Sequence, residues 1–106
     1  MIVMVTMIIN KYFQKGKKME SKTFLKVGQK VLIRTVTMIY AGEIKDIGER
    51  EILLTKASWI ADTGRFSENL KSCDFSEVEM YHNDVVVFTG AFLDVTEIDR
   101  IPTATK

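Results

Sequence analysis

From Val27 onward the chain is a succession of short apolar runs broken by glycine and polar residues, with no long stretch of helical periodicity. Val31 to Ile39 (VLIRTVTMI) is rich in β-branched residues and reads as a strand, with Gly42 placed where a bend or turn falls. Glu43–Ile47 and Glu51–Ala57 (EILLTKA) flank Gly48-Glu49-Arg50, a tight-turn signal that predicts a hairpin. Glu77–Tyr81 and Asp84–Val95 give two later strands separated at His82-Asn83-Asp84, and Gly90 inside the second marks a bulge or sharp bend. One helix is predicted, Ser67–Ser72, with Ser67 as its N-cap. Phe66, Leu70 and Cys73 recur at helical spacing beside it, so one face can plug the end of a barrel. Five or six short strands joined locally, with one short helix, predict a mainly β fold bent into a small barrel.

The 106 residues make one small domain, a size at which stability is modest and oligomerisation is a common supplement. The barrel is expected over residues 27–98, after an apolar and Lys-rich stretch at 1–26 and before a tail at 99–106. Met1–Ile9 (MIVMVTMII) is apolar, but its nine residues fall well short of the roughly twenty a membrane helix needs. The positive charges follow it, the wrong order for a secretory signal. It reads as an added edge strand, as a segment packed on a second subunit, or as sequence upstream of a natural start at Met19. The last reading rests on Lys15-Gly16-Lys17-Lys18, which resembles a ribosome-binding site translated in frame.

Charge is divided along the chain. Residues 1–56 hold eleven Lys/Arg and five Asp/Glu, a net +6, whereas residues 57–106 hold four and nine, a net −5. Such a chain neutralises itself within one fold or pairs head to tail with copies of itself. The run Lys11–Lys30 has seven lysines and one acid, Glu20, which suits either a solvated linker or contact with nucleic-acid phosphates. Cys73 and His82 are the sole residues of their kinds, so neither a disulfide nor a Cys/His metal or nucleophile site is expected. No phosphate-binding glycine motif and no paired carboxylates with a base occur, and the acids at Glu77, Glu79 and Asp94–Asp99 read as solvated strand ends. The expectation is a protein without a cofactor that binds and does not catalyse.

The candidate ligand groups gather in two stretches, Arg34–Gly42 and Trp59–Phe66, expected at neighbouring strand ends. Arg34 is either a bidentate grip on a phosphate or carboxylate, or a structural partner of Asp62, Glu43 or another acid. Thr35 and Thr37 read as strand residues or as hydroxyl donors of a pocket. Tyr40 and Trp59 are either core residues or planes on which a base stacks. Asp62-Thr63-Gly64-Arg65 forms a turn, with Asp62 as a cap of its own backbone and Gly64 at positive φ. Arg65, between that turn and a helix start, is the stronger ligand residue there. The predicted binding set is therefore Arg34, Tyr40, Trp59, Asp62, Thr63 and Arg65.

The run VLIRTVTMIYAGEIKDIGEREILLTKASWI resembles the strand pattern of SH3-like and Sm-like barrels over residues 27–60. More specifically, RTVT-x-x-Y-x-G at Arg34–Gly42 and WIADTGRF at Trp59–Phe66 resemble an uncharacterised family of small bacteriophage and bacterial proteins, a likeness that extends through Val95. It implies a phage or prophage setting, in the host cytoplasm or the virion, and no particular activity. Two functions follow. One is a homo-oligomeric binding module for a nucleotide, acting to sequester a nucleotide signal, or for RNA. The other is a virion or assembly component that acts through contacts with phage or host proteins.

Overall fold

The computed structural model describes residues 23–106. The readings of Met1–Ile9, of Met19 and of the lysines before residue 23 lie outside the described residues. Six strands form one antiparallel sheet: β1 (Lys30–Thr35), β2 (Ile39–Ile47), β3 (Glu51–Asp62), β4 (Glu77–Met80), β5 (Val85–Phe88) and β6 (Phe92–Glu97). A seven-residue helix, α1 (Phe66–Ser72), lies between β3 and β4, and a 3-10 turn, Thr89–Ala91, joins β5 to β6.

The strands run in the order β4-β3-β2-β1-β6, and β5 pairs with β3 beside β4. The twelve-residue β3 makes this possible, because its first half faces β5 (Leu54 opposite Val85) and its second half faces β4 (Ser58 opposite Met80). The division falls at a bulge. Ala41 opposes Ser58 but Glu43 opposes Thr55, so Lys56 and Ala57 share the place opposite Gly42. Lys56 takes φ +53°, and a Cβ at Gly42 would lie 3.3 Å from Ala57 Cα and Leu54 Cβ, a tight contact that a glycine avoids.

Apolar residues face both sides of the sheet. Val31 and Ile33 join Ile44, Ile52, Leu54, Ala57 and Val87 in a first core, against which Val85 of β5 and Phe92 and Val95 of β6 pack. Leu32 points the other way and joins Ala41, Ile60, Phe75, Val78 and Ile98 in a second core, against which Leu70 of α1, Cys73 at its C-terminal cap and Ile101 pack. The consecutive Val31-Leu32-Ile33 is thus explained by a strand buried on both faces.

This arrangement corrects the expected barrel. The sheet is open, with β6 bonded to β1 and β5 to β3 and only the 3-10 turn connecting them. The outer face of a small closed barrel is solvated, whereas here that face carries a second core needing its own cover. Several local expectations shift too. The strand expected over Val31–Ile39 stops at Thr35, where the Thr35 amide donates to Met38 O (2.8 Å) and the Thr35 hydroxyl accepts from the Met38 amide (2.9 Å). That closes a hairpin around Val36-Thr37, and Gly42 lies inside β2 instead of at a turn. α1 begins at Phe66 with Arg65 at its N-cap position, two residues ahead of the expected Ser67, and its Leu70 packs on the second core. The segment expected as a tail is docked: Val78 and Lys106 exchange both backbone hydrogen bonds at 2.9 Å, and Thr105 Oγ1 accepts from the Met80 amide at 3.0 Å. These contacts satisfy the outer edge of β4.

Candidate functional site

The two stretches singled out in the sequence do meet, since Tyr40 of β2 stands directly opposite Trp59 of β3. The candidate side chains nevertheless divide between two sheet faces. Tyr40 lies opposite Ile33 and packs on the first core, so Trp59 shares that face. Arg34 lies opposite Ile39, which packs on the second core. The arginine and the aromatics therefore do not line one pocket.

Arg34 takes a structural partner. Its cross-strand neighbour on β6 is Asp94, whose Oδ1 accepts from Arg34 Nε at 2.9 Å while Oδ2 pairs with Nη2, a bidentate fork. The guanidinium also lies over the Phe66 ring, 5.1 Å from its centroid. The hydrogen bond from Arg34 holds the Asp94 carboxyl below the usual carboxylate range, and the same bond raises the guanidinium in return. Asp94, expected as a solvated strand end, keeps 44% of its side chain exposed and carries this ion pair.

Asp62 Oδ1 accepts from the Gly64 amide at 2.9 Å, which makes the expected turn cap. Thr63 offers its carbonyl to Asn69 Nδ2 at 2.7 Å, and its hydroxyl donates to Gly64 O at 3.1 Å. Arg65 is exposed and stands 3.9 Å from Glu68 along α1. These three residues build and border a turn at the end of β3. Around Tyr40 the aromatic cluster is larger than the sequence suggested, because Tyr81 stacks on it with ring centroids 6.2 Å apart and planes 27° apart. Burial, then the neighbouring Tyr40, pushes the Tyr81 phenol up. Trp59 remains 38% exposed and Tyr81 37%.

A concavity lies elsewhere, on the second-core side of the sheet. A groove of about 470 Å³ runs between the bulge of β3 and the segment after β6. Three cations line it from three elements: Lys30 at the start of β1, Lys56 in the bulge and Arg100. Glu43 and Asp99 supply carboxylates, and Met80, Ile101 and Pro102 an apolar wall. Lys56 Nζ stands 3.6 Å from Glu43 Oε1, and Arg100 donates to Ser72 O. Beside this floor, Ser58 of β3 is fully buried with a hydroxyl that has no hydrogen-bond partner.

Sequence reasoning passed over Lys56 and Arg100. One signal for Lys56 was present, since inward positions change from even numbers (Ile52, Leu54) to odd (Ala57), the one-residue slip that a bulge produces. Arg100 carries no such signal, because the docking of its segment depends on contacts far along the chain. Among the described residues no cluster of three His, Cys, Asp or Glu side chains is placed to hold a metal, and no helix is long and apolar enough to cross a membrane. Compared with protein-family models, with curated proteins and with solved structures, the chain matches none.

Proposed function

We propose that this chain is a small binding module whose ligand is a nucleotide-class molecule held in the groove beside the β3 bulge. The observation that carries the reading is the convergence of Lys30, Lys56 and Arg100 on one groove that also holds the Glu43 and Asp99 carboxylates and an apolar wall of Met80, Ile101 and Pro102. A volume of about 470 Å³ falls in the range of small-molecule sites, which pair apolar walls with a few placed polar groups. Lysines attract a phosphate as point charges, and Glu43 and Asp99 accept from ribose hydroxyls or an exocyclic amine. A ligand carrying both anionic oxygens and neutral donors satisfies both sets, whereas inorganic phosphate satisfies one. In this reading the protein acts by sequestration or sensing, and the phage setting implied by the two sequence motifs suits sequestration of a nucleotide signal. The strand order, with a 3-10 turn before a last strand that returns to β1, supports reading the fold as an opened SH3-like meander.

The test is thermal unfolding across a panel of linear and cyclic nucleotides. A ligand at about one hundred times its Kd adds about 2.7 kcal/mol, a rise in Tm on the order of 10 °C for a domain this size. Lys30→Ala and Lys56→Gly are expected to abolish that rise while remaining folded. A flat response across the panel, or a full response in both variants, would refute the reading.

A further inference from the structure

The face opposite the groove carries a second constellation. Trp59 stands directly across from Glu79 of β4, and Glu77 projects from the same face of β4 two residues away. Trp59 and Tyr81 are more than one-third exposed, and Tyr81 is buttressed by its stack on Tyr40. Glu77 and Glu79 are exposed, and neither lies within 4.0 Å of a Lys or Arg among the described residues. An exposed indole flanked by two carboxylates repels a phosphate and attracts a cation.

The molecule contains a worked example of what such a pairing holds. On the other face, cross-strand neighbours Arg34 and Asp94 form a fork while the Phe66 ring covers the guanidinium at 5.1 Å. One carboxylate across a strand pair and one aromatic plane suffice to orient an arginine there. Trp59 and Glu79 present the same two components within cross-strand distance, with a better cation–π surface than phenylalanine.

We propose that Trp59, Tyr81 and Glu79 form a docking surface for an arginine side chain of a partner protein, its guanidinium stacked on the indole and paired with the Glu79 carboxylate. Charge complementarity selects this occupant, since Glu77 and Glu79 leave the face acidic. Arginine is favoured over lysine because a planar fork both stacks and bridges. The surface is separate from the groove, so one can fail without the other.

Trp59 is the only tryptophan of the chain and reports directly on the surface. The experiment titrates a fluorescein-labelled arginine-rich peptide into the full chain at low salt, following peptide anisotropy and Trp59 fluorescence together. Expected results are saturable binding with quenching of Trp59, weaker binding of a lysine-rich peptide of equal charge, and about tenfold weaker binding to Glu79→Gln. Glu79 is exposed, so this variant keeps the fold, which circular dichroism verifies, and Glu49→Gln, exposed in the turn between β2 and β3, binds as the parent does. The proposal is overturned if Glu79→Gln binds the arginine peptide unchanged, if the peptide leaves Trp59 fluorescence unaltered, or if an oligothymidylate quenches Trp59 and the peptide does not. The last outcome would assign the face to base stacking.

Discussion

Gly64 ends the turn that closes β3, and replacing it with alanine separates two costs that the structure makes visible. The residue takes φ +76°, where an L side chain costs about 1–2 kcal/mol. A Cβ there would also fall 2.2 Å from Asn69 Nδ2 and 2.4 Å from Ser76 Oγ. Both atoms end side chains that can swing away, but Asn69 Nδ2 donates to Thr63 O at 2.7 Å, and moving it forfeits a hydrogen bond worth about 0.5–1.5 kcal/mol. The lower entropy of the unfolded alanine chain returns about 0.4–1 kcal/mol. The net expectation for Gly64→Ala is a loss of about 1–2 kcal/mol. Gly28 is the control, because it also has positive φ, +96°, yet a Cβ there meets nothing within 4 Å. Gly28→Ala bears the backbone strain alone and should cost about 1 kcal/mol or less. Urea unfolding followed by circular dichroism, with an unchanged m-value, measures both. If Gly64→Ala proves no less stable than Gly28→Ala, the crowding by Asn69 and Ser76 is wrong and so is the account of this turn.

Stability should also fall in acid. Hydrogen bonds from Lys106, Lys45 and Arg34 hold Asp74, Asp84 and Asp94 below the usual carboxylate range. A lowered folded pKa contributes stability that is complete above the unfolded value of about 3.9 and is lost as pH falls through the folded value. The urea midpoint should therefore decline below about pH 4, and Asp94→Asn should show a shallower decline than the parent. Phe75 is 1% exposed in the second core, so Phe75→Ala should cost about 3–5 kcal/mol; a loss under about 1 kcal/mol would mean that this core is not closed. Arg34→Met should lower the urea midpoint but leave any nucleotide-induced rise in Tm intact, and loss of that rise would return Arg34 to the ligand site. Removing Thr105 and Lys106 should speed hydrogen exchange at the Val78 and Met80 amides, which those residues satisfy, and unchanged protection would refute the edge contact.

What was legible before the structure was local. Gly48-Glu49-Arg50 turns where expected, with the Gly48 amide bonded to Glu51 O at 2.7 Å, and the β-branched runs are strands. Turn chemistry of another kind went unseen. Val36-Thr37 looks like strand, and the hairpin there is closed by the Thr35 hydroxyl and not by a glycine. The meeting of Tyr40 and Trp59 was legible as two apolar runs converging on one end. The separation of Arg34 from them was not, because Val31-Leu32-Ile33 is apolar at every position and offers no alternation from which to assign a face.

By itself, then, the sequence determined a mainly β chain of short strands, one short helix and a set of polar and aromatic groups near two strand ends. Those properties follow from β-branched content, glycine placement and spacing, which act over a few residues. Only the tertiary structure decided that the sheet stays open with a core on each face, that Arg34 is satisfied by Asp94 sixty positions away, and that Lys30, Lys56 and Arg100 share a groove. The physical reason is that partner choice for a charge depends on which strands are neighbours, and that order is set by burying both faces of β1 and β3 at once. A bulge at Lys56 lets one strand serve two partners, and the same bulge carries a lysine into the groove.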